Sequence, residues 1–246
     1  MEISVIASGS NGNCCLVEDK DSSILIDAGK SMREIDFRMS NLGKNLENVD
    51  GIVLTHSHSD HLRGIGPISR KYNLPVYVAK EVYDLCNGGL GRVNLKHFPL
   101  NSRFKIKNIE IKPINTSHDV PSCGFVIGKF GLFTDTGIVT DQMNCAIKKL
   151  KGVLIESNHD IDMVINGSYP AFLKQRILSD KGHLSNIHAS SFVHEKGRNL
   201  SWALLGHLSA NNNSVDKAKG CFESIVKRKL DYSVLSRDKE SDSWVL

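Results

Sequence analysis

The chain has 246 residues, of which 40% are hydrophobic, 24% charged and 7% aromatic. These ordinary globular values exclude disorder and coiled coil as the main state, and no apolar run approaches the roughly 20 residues of a membrane helix. Lys plus Arg number 31 against 27 for Asp plus Glu, a net +4. That balance suits an anionic substrate but falls short of a dedicated nucleic-acid-binding domain, which clusters basic charge on one face.

The start, Met1-Glu2-Ile3-Ser4-Val5-Ile6, lacks the basic segment of a signal peptide, so a cytoplasmic protein with no membrane contact is expected. Strands are predicted at Ile3–Ala7, Cys14–Val17 and Ile24–Asp27, then a helix at Met32–Leu42. Gly51–Leu54 is a short apolar, β-branched run and reads as a buried strand. Leu62–Lys71 reads as a helix and Pro75–Val78 as a strand.

The second half has a similar grammar. Ile109–Ile114, Cys123–Ile127 and Gly131–Thr134 read as strands, with a turn at Gly128-Lys129. A helix at Asp141–Leu150 leads to a buried strand, Gly152–Glu156. Helices follow at Tyr169–Leu178, Ser185–Glu195 and Ser214–Lys229, the last capped by Ser214. Leu200–Leu205 lies between helices, and Tyr232–Leu235 closes the series. Lys227-Arg228-Lys229 reads as a solvated helix end. No Pro/Gly-rich linker divides the chain, so a single domain over residues 1–246 is expected, with two β-rich layers covered by helices. The six cysteines, at 14, 15, 86, 123, 145 and 221, have no CxxC spacing and read as reduced, packed thiols.

The informative stretch is Leu54-Thr55-His56-Ser57-His58-Ser59-Asp60-His61-Leu62. Alternate residues of an extended segment face one side, so His56 and His58 can meet one metal ion. Asp60 and His61 come where the chain turns into the next helix and can reach a second. Imidazole and carboxylate suit zinc, manganese and iron, and paired ions are a recognised hydrolytic arrangement. The bland alternative is a polar loop that is histidine-rich by chance. His118, Asp135 and His207 each follow an apolar run into a small-residue loop, where site residues sit on a rigid scaffold. Singly, they could be a surface residue, a helix cap and a core histidine.

The segment Thr-His-Ser-His-Ser-Asp-His resembles the HxHxDH signature of the metallo-β-lactamase fold hydrolases, and the later His118, Asp135 and His207 are similar in order to that superfamily's remaining ligands. The resemblance implies an α/β fold, a four-layer αββα sandwich with a dinuclear site at one edge. It implies His56, His58 and His118 on one ion, Asp60, His61 and His207 on the other, and Asp135 between them. Segments 7–13, 156–160, 182–186 and 207–212 are similar to the YycJ/WalJ-like group, which is associated with exonuclease action on DNA. Asp135 stands where true β-lactamases place a cysteine. The 17 positions from His118 to Asp135 leave no room for the arm of the tRNA 3′-processing enzymes. The 72 from Asp135 to His207 leave none for a β-CASP domain.

The expectation is thus a phosphodiesterase with two divalent ions, zinc or manganese, acting as a DNA exonuclease through metal-activated water. Asp60 would both ligate and orient that water. His183 matches the place of a histidine that assists phosphate chemistry in related phosphodiesterases; alternatively it only enters a helix capped by Ser185. Ser10 and Asn11, in the loop 8–13, and Asn158 are candidate substrate contacts, though either segment could be a simple turn. Asp27 is expected to orient a metal-bound histidine. Cyclic or other small phosphodiesters, a thioester or lactone, and a non-enzymatic binding module are the competing functions.

Overall fold

The computed structural model describes residues 1–86 and 88–246. The elements are, in chain order, β1 (Glu2–Ala7), β2 (Cys14–Asp19), β3 (Ser22–Ile26), α1 (Met32–Asn41), β4 (Gly51–Val53), α2 (Ser59–Leu62), α3 (Ile65–Tyr72), β5 (Pro75–Ala79), α4 (Lys80–Tyr83), β6 (Asn94–Phe98), β7 (Phe104–Ile106) and β8 (Ile109–Asn115). They continue with β9 (Cys123–Ile127), β10 (Phe130–Phe133), α5 (Asp141–Ile147), β11 (Gly152–Glu156), α6 (Ile161–Asn166), α7 (Ala171–Leu178), α8 (Asn186–Lys196), β12 (Trp202–Gly206), α9 (Val215–Ile225), β13 (Asp231–Val234) and β14 (Trp244–Val245). Two compact units result: Met1–Pro113 with Ser236–Leu246, and Ile114–Leu235. The chain passes from the first to the second within β8.

In the first unit the sheet order is β14-β1-β2-β3-β4-β5-β6. Its early strands are antiparallel, and β3 to β6 run parallel. Every residue of β3 is buried, which is why its Ile24-Leu25-Ile26 stretch reads as an apolar run rather than an alternation. By contrast, β8 alternates, with Ile109 and Ile111 buried and Glu110 and Lys112 exposed. Helix α1 starts at Ser31, whose side chain accepts from the Glu34 N–H, and buries Ile35 and Met39. Arg38, on the same face, is only 5% exposed. Its guanidinium donates to the carbonyls of Ile6 and Asp238 and to Glu34, which ties the C-terminal segment to β1.

In the second unit β10, β11, β12 and β13 are parallel neighbours, and β9 joins β10 antiparallel. Phe133, Met143, Ile147, Val153, Ile155, Phe192, Leu205 and Phe222 belong to one buried cluster. Side chains cap each of α5, α6, α8 and α9: Thr140, Asp160, Ser185 and Ser214 accept from N–H groups in the first turn, satisfying donors that no helical bond can reach. Mixed sheets carrying helices make the expected α/β fold.

Several expectations need correction; the helix expected at Asp141–Leu150, for one, ends at Ile147. The helix predicted at Leu62–Lys71 is two helices, α2 and α3. At the break, the Gly64 N–H bonds the Ala28 carbonyl at 2.6 Å, and a Cβ at Gly64 would lie 2.3 Å from the Lys30 carbonyl, so the backbone must pass there without a side chain. Helix α9 ends at Ile225, short of Lys229. Arg228 is not a solvated charge: it is half-buried and donates to the Gly197 and Leu200 carbonyls. Strands β6, β7 and β14 and the short helices α4 and α6 went unpredicted. β6 buries only Phe98 among its five residues, so an edge strand gave no apolar pattern to read. The cysteines are all free thiols, with Cys14, Cys15, Cys86 and Cys123 buried.

In both units several of the polar candidates lie at the C-terminal ends of strands with a parallel neighbour. Asp27 follows β3, Thr55 and His56 follow β4, Asp135 follows β10, Glu156 ends β11 and His207 follows β12. Open α/β sheets place their ligand sites at such ends.

Candidate metal centre

The first unit carries a histidine knot. His56 and His61 are wholly buried, and His58 is half-buried. The His56 ring centroid lies 4.7 Å from that of His58 and 4.1 Å from that of His61. Asp60 Oδ2 is 3.6 Å from His61 Nε2. These residues leave β4, and His58 stands at the N-cap position, without a side-chain capping bond, of the short α2 that carries Asp60 and His61.

Buried partners orient the rings. Asp27 Oδ2 accepts from His61 Nδ1 at 2.8 Å, as the sequence led us to expect of Asp27. The Thr55 hydroxyl donates to the Asp27 carboxylate, which leaves His56 Nδ1, 3.0 Å away, to donate to Thr55. With both Nδ1 atoms committed as donors, each Nε2 presents a lone pair, the arrangement typical of metal-bound histidine. Burial raises the Asp27 carboxyl, against the opposing pull of His61 and Thr55. Asn13 is a partner that sequence reasoning missed. Its Nδ2 lies 3.0 Å from His61 Nε2, and its side chain pairs both ways with Gly9, fixing the loop whose exposed tip is Ser10 and Asn11.

Backbone bonds fasten this knot to the end of β3. Ala28 N bonds the His61 carbonyl and Asn13 N bonds the Asp60 carbonyl, both at 2.8 Å, while Gly29 N bonds the Asn13 carbonyl. A Cβ at Gly29 would stand 1.6 Å from the Asp60 carbonyl oxygen. Gly29→Ala must therefore displace Asp60. We expect about 3 kcal/mol of destabilisation, a fall of roughly 5–10 °C in melting temperature, together with loss of bound metal. An unchanged melting curve would show that this close approach is not required.

The second unit carries its own donors. His118 Nδ1 donates to the Gly182 carbonyl at 3.2 Å, and its Nε2 stands 4.0 Å from Asp135 Oδ1. His207 Nε2 is 3.5 Å from that same oxygen. One ligand atom from each of Asp135, Glu156, His183 and His207 lies within 4.8 Å of the others. Glu156 is the unforeseen centre of this group. It is wholly buried. Its Oε1 accepts from Nδ1 of both His183 and His207, each at 2.7 Å, and its Oε2 accepts from the N–H groups of Thr136 and Leu184. Burial alone would raise its pKa, but the two imidazoles outweigh burial and hold the carboxyl far below the ordinary range. For His183 burial pulls downward, and Glu156 overcomes it and raises the imidazole. The signal available in sequence was a glutamate ending the apolar run Gly152–Glu156.

Strain is concentrated here. Asp27, Asp135 and His207 have φ of 61°, 57° and 56°, a left-handed conformation uncommon for non-glycine residues. At His207 the strain is held by Asn158, whose Nδ2 donates to the His207 carbonyl and whose own carbonyl accepts from Ser209 N. Asn158 is 4% exposed, so its amide is engaged with the protein.

The family model for the β-lactamase superfamily domain matches residues 22–199. Exodeoxyribonuclease WalJ of Streptococcus pneumoniae is 37% identical over 221 residues, covering 85% of this chain and 82% of its own. The chain belongs to the β-lactamase superfamily. Within it, the chain falls in the YycJ/WalJ-like group: exodeoxyribonuclease YycJ of Bacillus anthracis is 33% identical over 241 residues, 93% of this chain and 90% of its own. Among solved structures, the metallo-β-lactamase fold protein YhfI of Bacillus subtilis matches with a TM-score of 0.74 over 99% of both chains at 17% identity. Zinc-bound PqqB of Methylobacterium extorquens gives 0.74 at 13%. At such identities the likeness is one of fold. Hydrolases of this superfamily use divalent metals, and the donor chemistry fits: each unit offers buried imidazoles held by Nδ1, with carboxylate oxygens beside them. No helix among the described residues is long and apolar enough to cross a membrane.

Proposed function

We propose that this chain is a metal-dependent phosphodiesterase that degrades DNA from an end. The observation that carries the reading is the set of anchored imidazole and carboxylate donors in a chain 37% identical to an exodeoxyribonuclease over most of its length. The reading takes the 246 residues as one catalytic domain working in the cytoplasm on nucleic acid. It assigns His56, His58 and His118 to one divalent ion and Asp60, His61 and His207 to a second, with Asp135 shared; zinc and manganese suit these donors.

When bound, the ions supply Lewis acidity toward water and toward phosphate oxygens. The chain's own groups do the remaining work. Asp60, with its side chain 22% exposed, accepts a hydrogen bond from the attacking water and aims it at phosphorus. His183 is anchored at Nδ1 by Glu156 and also 22% exposed; its Nε2 holds a proton for the leaving oxygen. Asp27 and Glu156 keep the histidine rings in place. Ser10 and Asn11 offer exposed donors to the substrate backbone, and Asn158 acts through the His207 turn.

Purified protein with added Mn²⁺ or Zn²⁺ should be offered end-labelled single- and double-stranded DNA, RNA, a cyclic mononucleotide and a thioester. Progressive shortening of DNA is expected; cleavage of the thioester or the cyclic nucleotide alone would overturn the reading. His183→Ala should keep its metal content and lose about 10²–10⁴ in kcat. Undiminished kcat would remove His183 from the chemistry.

A further inference from the structure

The second unit contains a cavity of about 330 Å³, whose walls include Ile138, Leu178 and Phe192 with His159 and His183. Its size is at the lower end of the roughly 300–1,000 Å³ of small-molecule pockets. It has room for one nucleoside and none for a duplex or a peptide element. His183 borders this cavity and shares the Glu156 oxygen with His207, so one wall belongs to the candidate chemistry.

Two further histidines, His159 and His188, line the cavity and have no part in that chemistry. His159 follows β11, is 2% exposed, and its Nδ1 is buried with no hydrogen-bond partner among the described residues. Burial lowers its pKa to about 4, so at neutral pH the ring is uncharged and carries one donor and one acceptor nitrogen. The His159 ring lines the cavity, whose exposed surface is mainly apolar, and that lining suits a ligand with flat apolar faces and a hydrogen-bonding edge. A nucleobase has that chemistry.

We propose that this cavity receives the nucleobase of the terminal nucleotide being released, unpaired, between the apolar walls of Ile138, Leu178 and Phe192, with the imidazole of His159 on its edge. The proposal rests on the nuclease reading and adds the group by which the strand end is gripped. Because the walls are apolar, the grip accepts any base. Because the base must leave its partner to enter, single-stranded ends are cleaved faster than blunt duplex ends.

The test compares two single-stranded oligonucleotides, identical except that one has an abasic tetrahydrofuran residue in place of the terminal nucleoside. The wild type should cleave the normal end about tenfold faster in kcat/KM, in line with the strength of base stacking on protein. Ile138→Trp and Leu178→Trp, at positions 42% and 43% exposed, should narrow the cavity and bring that ratio near one. The ratio is taken within each variant, so general damage cancels. A wild type that cleaves both ends equally would overturn the pocket and leave the nuclease reading standing, as would variants that keep the tenfold preference. A wild type that hydrolyses bis(p-nitrophenyl) phosphate but neither oligonucleotide would overturn both.

Discussion

Glu156→Gln is expected to lower turnover about 100-fold. The carboxylate of Glu156 faces four donors: Nδ1 of His183 and His207 on one oxygen, and the N–H groups of Thr136 and Leu184 on the other. A carboxylate is acceptor-only and satisfies all four. Glutamine has one carbonyl oxygen, so its NH₂ must face either the two imidazoles or the two backbone groups. Either way two buried donors meet a third, at roughly 1–3 kcal/mol for each group left unsatisfied. If the imidazoles lose their acceptor, His207 is no longer held with Nε2 forward and His183 no longer keeps its proton. The measurements are kcat on labelled DNA, metal affinity by competition with a chelator, and melting temperature. All three should fall. A variant with wild-type kcat and metal affinity would show that both rings are positioned without Glu156.

Asp135→Asn should cost more, about 10³-fold in activity, the equivalent of several kcal/mol of lost charge stabilisation. This substitution isolates charge from backbone. Asp135 sits at φ 57°, and asparagine tolerates that conformation as well as aspartate does. The 2% exposed site keeps its volume, and only the anionic oxygen that approaches His118 and His207 is lost. The variant should therefore keep its circular dichroism while binding less metal. Retained activity with retained metal would remove Asp135 from the ligand set.

Much of this was legible because the chemistry is written locally. His56, His58, Asp60 and His61 fall within six residues after an apolar strand, and Asp135 and His207 each follow another. What the sequence could not show was pairing over distance. His61 meets Asp27 across 34 positions and His207 meets Glu156 across 51, and nothing in local periodicity marks such partners. Asp27 was anticipated only through resemblance, whereas Glu156 as a support and Asn13 as a partner of His61 were not. The same limit explains the fold's surprises. Gly64 breaks a helix because the backbone of residues 28–30 approaches it. β6 pairs with β5 through its backbone while leaving most of its side chains exposed.

If the anchored histidines and aspartates hold the divalent ions on which hydrolysis depends, metal and cleavage must be lost together. The direct measurement is elemental analysis of the purified wild-type chain by mass spectrometry, paired with cleavage of labelled DNA before and after dialysis against a chelator. Two ions per chain are expected, with loss of cleavage when they are removed and recovery on adding Mn²⁺ or Zn²⁺. A chain stripped of metal that degrades DNA at its original rate would rule out metal-dependent hydrolysis.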